Sequence, residues 1–279
     1  DNIEKIPKVD DKIDLTIVID KKSKSYDASV KLGATDKDKW AKQNKNNDDY
    51  IYYKLPDTRE GWVLANAHLI DQHFNQTNPD KKTKLVLDIS DIRPYGAKIH
   101  GFGGTASGPM PLIEMLFDVN KVINARVGKK LTAVDATDIC NLIGKTVVAG
   151  NVRRSAELAL GSSSDQDFIK MKQDKDKLYH HRWASNNSVA INSKFDNYGP
   201  IADGIKHNGE PGVVNLELSR DYGRIIDGYQ PGIDGEVEGT NPCGEISLAN
   251  GEPCNLFEVF PYVAEQQNWD LKEAFTLAA

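Results

Sequence analysis

From Thr132 onward the sequence switches between two hydrophobic periods, and that switching constrains the fold more than any other feature of the chain. Thr132 and Asp135 have the Thr-x-x-acid spacing of a capping box, in which two side chains satisfy backbone N–H groups that a first helical turn leaves unpaired. Ala136, Cys140, Ile143 and Val147 follow at helical spacing, which predicts one buried face, and Gly150 stands where such a helix stops. Short strand-like runs come next at 157–161, 188–192 and 212–218. A helix is predicted to begin after Ser164, where Asp165 and Asp167 suit the positive end of a helix. Strands alternating with helices bury their apolar faces as an α/β sheet or barrel. The fold class read from the sequence is therefore α/β.

The first half is less regular. Residues 1–50 are rich in Lys and Asp, with one clear strand candidate at 15–19. The run 36–49 is mostly polar and is expected to be a mobile surface excursion. Aromatic and apolar residues return at 50–74, predicting a short strand, a turn at Pro56-Asp57 and a helix from about Arg59. A second strand is predicted at 84–89, then a turn-rich stretch through Arg93-Pro94-Tyr95-Gly96, a glycine-rich loop at 101–109 and an apolar helix at 112–124.

Composition narrows the function classes. With 39% hydrophobic residues a sizeable core can form, and the net charge of −6 argues against a non-specific nucleic-acid binder, which is usually basic. Cys140, Cys243 and Cys254 form no C-x-x-C pair and no even framework, which points to a reducing, cytoplasmic compartment. No apolar run approaches the roughly 20 residues of a membrane helix, so no membrane partner is expected. The chain opens on Asp1 and stops soon after a helical pattern at 269–275, and is expected to be an internal piece of a longer protein.

Three segments carry candidate chemistry. The loop 101–109 precedes a helix, where glycines allow close backbone approach and free N–H groups attract anions. It matches G-x-G-x-x-A, but no strand runs into it, so a dinucleotide site and a plain glycine-rich turn both stay open. The segment 149–156 carries Arg153 and Arg154, which either clamp a phosphate or form a solvated basic turn. Adjacent His180 and His181, with no Cys or carboxylate at ligand spacing, predict no metal site. In Asn241-Pro242-Cys243-Gly244-Glu245 a thiol stands between a carboxamide and a carboxylate, each two residues away. If that stretch is extended, all three side chains point one way, bringing a nucleophile or radical carrier, a neutral hydrogen-bonding group and a base together. Cys254 follows a turn at 250–253, and a hairpin-like return would bring it near Cys243 or leave it on the same cavity. Cys140, on the predicted buried helix face, is expected to be structural.

Taken together, these segments resemble one family. Asn241–Glu245 is similar to the finger loop (240–248) of ribonucleotide reductases. The run 147–157, with Gly150, Asn151, Arg153, Arg154 and Ser155, resembles their second specificity loop (149–156). Gly103, Gly104, Thr105, Ala106 and Ser107 resemble the first (101–109). Lesser matches lie at 57–62, 185–189 and 209–214, all in the family's order, and the nearest subgroup is the adenosylcobalamin-dependent, triphosphate-reducing one, which includes monomeric members.

The resemblance implies part of a ten-stranded α/β barrel with an inserted effector-site region. Residues 1–132 would form that effector region and 133–279 the partial barrel. It further implies a thiyl radical on Cys243 that takes the ribose 3′-hydrogen, Glu245 as base, Asn241 bonding the sugar hydroxyls, and Cys254 as one of two reducing cysteines. Its partner cysteine, the adenosylcobalamin-binding segments and the cysteines that re-reduce the pair would lie outside this chain, which alone is expected to be inactive. Implied partners are a ribonucleoside triphosphate, a deoxynucleoside triphosphate effector at the two loops, and thioredoxin or a similar reductant. Two other readings stay open, a non-catalytic deoxynucleotide-binding module and a diphosphate reductase large subunit.

Overall fold

The structure, a computed structural model, describes residues 6–74, 82–99, 104–149, 155–223, 225–255 and 258–278. The chain divides into two compact units, Asp1–Val214 and Asn215–Ala279. The first opens with β1 (Asp14–Ile19), α1 (Tyr26–Lys31), β2 (Thr35–Asp36), α2 (Lys37–Gln43), β3 (Ile51–Lys54), α3 (Arg59–Phe74), β4 (Lys84–Asp88) and α4 (Met110–Asn124). Its strands make a four-stranded parallel sheet in the order β2-β1-β4-β3. In the inner strands Ile17, Val18, Ile19, Leu85, Val86 and Leu87 are all buried. Such continuous burial is expected of parallel strands covered on both faces.

The chain continues with α5 (Ala133–Val148), β5 (Glu157–Ser162), α6 (Gln166–Lys170), α7 (Lys175–His180), β6 (Ser185–Ile191), α8 (Gly199–Asn208) and β7 (Gly212–Asn215). The capping box is present: Thr132 Oγ1 accepts from Asp135 N at 3.2 Å, and Thr132 N donates to Asp135 Oδ2 at 2.8 Å. A three-stranded sheet runs β5-β6-β7, with β5 and β6 parallel. Leu112, Ile113, Leu116, Val119 and Ile123 of α4 join Leu69 of α3, Ile139 and Leu142 of α5 and the four-stranded sheet in the main core. A smaller cluster gathers Phe168, Ile169, Met171, Val189 and Ile201. Gly161 in β5 belongs to this packing, because a β-carbon there would stand 2.3 Å from the Phe168 ring.

The second unit holds α9 (Leu216–Tyr222), the antiparallel hairpin β8 (Val237–Thr240) and β9 (Ser247–Ala249), then α10 (Pro261–Gln266) and α11 (Leu271–Ala278).

The α/β class is as expected, and the structure departs from the sequence reading at three places. The polar run 36–49 is not an excursion: Asp36 caps α2 by accepting from Lys39 N at 2.7 Å. Lys37 donates to buried Asp88 at 2.7 Å, and Trp40 stacks on Tyr52 with centroids 5.7 Å apart. Long-range polar and ring contacts order what hydrophobicity alone does not. On α5 the buried residues are Asp138, Ile139, Asn141, Leu142, Gly144 and Thr146, whereas Cys140 and Val147 are exposed. The helix turns a mixed face inward because Asp138 has a buried cationic partner. The run 212–218 leaves the strand at Asn215, whose side chain accepts from Leu218 N at 3.1 Å and starts α9.

Candidate functional site

In the second unit, the turn at 241–246 connects β8 to β9. Asn241 is 4% exposed, and its Oδ1 accepts from Gly244 N at 3.2 Å and Ile246 N at 3.1 Å. Asn241 O also accepts from Gly244 N at 3.0 Å, and Asn241 N donates to Ile246 O at 3.1 Å. Gly244 has φ +88°, a left-handed conformation in which any side chain would be strained. The stretch is thus a closed turn rather than an extended strand. The one-sided arrangement expected of an extended chain is absent: Asn241 points in, while Cys243 and Glu245 are exposed. Arg220 of α9 steadies the hairpin base by donating to Val237 O at 2.8 Å.

After β9 the chain turns at Gly251, with φ +80°, and Glu252 accepts from Ala249 N at 2.8 Å. Cys254 lies beyond, exposed, and Cys140, Cys243 and Cys254 are all free thiols. The arrangement presents an accessible thiol and an accessible carboxylate two residues apart on a turn made rigid by a buried amide.

The first unit contains a cavity of about 510 Å3 that sequence reasoning did not foresee. Thr105, Ala106 and Ser107 of the first loop line it, together with Ile143, Thr146, Val147 and Ala149 at the end of α5. The first loop is held as a small ladder, with Ile99 N donating to Gly104 O at 3.2 Å, Ala106 N to Ala97 O at 2.8 Å and Gly96 N to Ala106 O at 2.9 Å. Gly108 takes φ +70°, and a β-carbon there would meet Tyr95 N at 2.8 Å. The opposite wall is the start of α3, where Thr58 Oγ1 accepts from Gly61 N at 3.0 Å and Trp62 contributes its ring. Arg93 Nε donates to Asp57 Oδ2 at 2.6 Å, and both residues line the cavity. A helix N-terminus, two arginines (Arg59 and Arg93) and apolar walls suit a ligand with an anionic end and a flat apolar body.

Of the loop residues singled out in the sequence, Thr105, Ala106 and Ser107 reach the cavity, while Gly104 supports the ladder. Ser155 instead hydrogen-bonds Glu157. Gly103, Gly150, Asn151, Arg153 and Arg154 lie outside the described residues. Arg93 was not singled out as a site residue in the sequence, and Asp57 and Trp62 entered only through the lesser family match at 57–62, with no role assigned. The available signal was Asp57-Thr58 ahead of a helix and an arginine following a strand, which alone reads as ordinary capping and turn chemistry.

His180 and His181 belong to a structural network, and no metal-holding group of His, Cys, Asp and Glu occurs among the described residues. Buried Asp138 accepts from Arg182 Nε at 2.6 Å, Arg182 Nη2 at 2.7 Å and His181 Nε2 at 2.9 Å. Burial opposes the charge of Asp138, but these hydrogen bonds and the Arg182 cation outweigh it and hold the carboxyl at about 2.

A family model described as the insertion domain of B12-dependent ribonucleotide reductase matches residues 13–123. An adenosylcobalamin-dependent ribonucleoside-triphosphate reductase from Lactobacillus acidophilus is 85% identical over 277 residues, covering 99% of this chain and 37% of that protein. One of the same name from Lactobacillus leichmannii is 73% identical over 278 residues, covering 100% of this chain and 37% of that protein. A crystal structure of a B12-dependent (class II) ribonucleotide reductase superposes with TM-score 0.89 at 71% identity, over 99% of this chain and 38% of the other. The chain thus spans little more than a third of the length of these relatives. Residues 13–123 thus match the insertion domain of the B12-dependent ribonucleotide reductases, and nearly the whole chain is similar to part of these longer proteins.

Proposed function

We propose that the full-length protein carrying this segment reduces ribonucleoside triphosphates to 2′-deoxyribonucleoside triphosphates, with Cys243 as the radical-carrying thiol. The observation that carries the reading is the exposed Cys243 on a turn fixed by buried Asn241, in a chain whose relatives are named for that activity. The Cys243 sulfur, once oxidised by one electron, takes the ribose 3′-hydrogen: an S–H bond forms as the C3′–H bond breaks. Glu245 accepts the 3′-hydroxyl proton, the 2′-hydroxyl takes a proton from a reducing cysteine and leaves as water as the C2′–O bond breaks, and Cys243 finally returns its hydrogen to C3′. Asn241 Oδ1 is committed to the turn, so of its amide atoms only Nδ2 is left to serve a sugar hydroxyl. Cys254 and a cysteine from elsewhere in the full protein supply two electrons and close a disulfide, which thioredoxin or a similar dithiol reopens.

Adenosylcobalamin, specified in the relatives' names, supplies radical generation when bound. The residues described here do not fit a corrinoid. The cavity of about 510 Å3 lies in the range of small-molecule pockets and is too small for a corrin ring with its appended nucleotide.

The same cavity is proposed as the site of a deoxynucleoside triphosphate effector, its base against Trp62 and Met115 and its phosphates toward Arg59 and Arg93. Residues 1–132 then serve as the effector region, and 133–279 as part of the ten-stranded barrel, with the segment 149–156 relaying effector identity to the substrate base. The compartment is proposed to be the cytoplasm, consistent with three free cysteines, and the parent enzyme a monomer. Among the described residues no helix is long and apolar enough to cross a membrane.

Full-length protein with adenosylcobalamin, a dithiol and a ribonucleoside triphosphate forms the deoxynucleotide, and Cys243→Ser abolishes turnover while leaving the fold intact by circular dichroism. Turnover retained by Cys243→Ser sinks the assignment.

A further inference from the structure

Gly144 lies inside α5 and is buried. Glycine is disfavoured in a helix interior relative to alanine, so its presence there calls for a steric reason. The reason is Glu157, the first residue of β5. A β-carbon built on Gly144 would stand 2.1 Å from Glu157 Oε1 and 3.0 Å from its carboxyl carbon. The carboxyl therefore rests directly against the helix, in a notch that only a hydrogen at position 144 leaves open. Ser155 Oγ lies 3.4 Å from the same point, and the Ser155 hydroxyl donates to the carboxyl.

This contact closes a loop at its base. The chain leaves α5 at Val148 and returns at Glu157, which touches the helix one turn before that exit. Between the two points lies the segment 149–156. On the exit side Thr146, Val147 and Ala149 line the cavity, so whatever fills the cavity presses on one stem of the loop. On the return side β5 pairs with β6, with Glu157 opposite Ser185, so the other stem is tied to the three-stranded sheet.

We infer that Glu157 is a positioning residue which, seated in the Gly144 notch, fixes where the segment 149–156 rejoins β5 and so transmits cavity occupancy to that segment. The inference rests on the reading of 149–156 as the relay between effector and substrate base. It uses only the stems, since residues 150–154 lie outside the described residues. A free return stem would let the loop absorb a shift at Val147 and Ala149 without passing it on. A return stem clasped by Glu157 cannot yield in that way.

The notch suggests its own perturbation. In Gly144→Ala the added methyl meets the far end of a flexible side chain, so it evicts the carboxyl while α5 keeps its path and gains helix propensity. Coupling is thereby separated from stability. Full-length reductase is assayed on two ribonucleoside triphosphates, each with and without a deoxynucleoside triphosphate effector, for wild type, Gly144→Ala, Glu157→Ala and Glu157→Gln. Effector-induced change in base preference, typically 5–150-fold in coupled systems, falls to about twofold or less in Gly144→Ala and Glu157→Ala. The effector-free rate stays within about twofold of wild type, as neither residue is placed at the reacting atoms. Glu157→Gln, which keeps the side-chain length and an acceptor for Ser155, retains the coupling.

Hydrogen exchange gives a readout independent of turnover. Amides of residues 155–158 exchange roughly tenfold faster in Gly144→Ala, with the global melting temperature unchanged or raised. Wild-type coupling or wild-type protection in Gly144→Ala overturns the inference, and so does Glu157→Gln behaving like Glu157→Ala. If the wild type itself shows no effector response, the relay reading of 149–156 fails, and the exchange experiment alone still decides whether the clasp exists.

Discussion

Replacing Asp138 by Asn leaves a buried cation without its counter-charge, and the structure sets the size of the effect. Arg182 is 3% exposed and Asp138 4%, so solvent screens neither. The guanidinium makes two hydrogen bonds to the carboxylate, at 2.6 and 2.7 Å, and a third to Met171 O. A carboxyl held at about 2 instead of 3.8 is worth roughly 2 kcal/mol at neutral pH through proton linkage. Removing one partner of a buried pair costs more, about 3–5 kcal/mol, because the remaining charge stays desolvated. Asp138→Asn should therefore lower the melting temperature at pH 7 by on the order of 10 °C by scanning calorimetry.

Two controls make the reasoning refutable. Asp138 has a depressed folded pKa, so its contribution is fully present above the unfolded carboxylate range. It is lost as pH falls through about 2, and the wild type–mutant gap should narrow over that window. In the double variant Asp138→Asn/Arg182→Met the stranded cation is gone, and most of the lost stability should return. A single variant costing less than about 1 kcal/mol, or a double variant no better than the single, refutes the buried-pair account.

Two further outcomes follow from local geometry. Thr132→Ala removes the side chain that accepts from Asp135 N at the start of α5, and should cost about 1 kcal/mol in denaturant unfolding, with a small drop in helical circular dichroism. Glu157→Gln should stabilise the protein slightly at neutral pH. Burial pushes this carboxyl up, so its favourable contribution belongs to the protonated form and is lost as pH rises through its folded pKa. The advantage of Gln should therefore disappear in acid, where the wild-type carboxyl is protonated too, and a pH-independent difference in melting temperature would count against this assignment.

Local signals were legible where a residue's partner lies a few positions away. The capping box of α5 depends on Thr132 and Asp135, three residues apart, and it stands where the spacing put it. The strands at 84–88 and 157–162 and the helix at 110–124 were visible from apolar runs alone. Polar segments were not. α2 forms because Lys37 reaches Asp88 and Trp40 reaches Tyr52, contacts 51 and 12 residues distant in sequence that no window of composition contains. The buried face of α5 was misread for the same reason, since its inward Asp138 makes sense only beside Arg182, 44 residues on.

The candidate site divides along the same line. From the sequence by itself came the α/β class, the thiol of Cys243 with Glu245 two residues away, and the resemblance that gives them a role, all carried by residues close together in the chain. Only the tertiary structure decided that Asn241 turns inward to hold the turn. It also decided that Asp57, Trp62 and Arg93 meet Thr105–Ser107 and the end of α5 around one cavity, and that Glu157 lies in the notch of Gly144. The physical reason is range. Periodicity and capping act through neighbours along the chain, whereas a cavity, a buried charge and a steric notch are made by residues that only packing brings together.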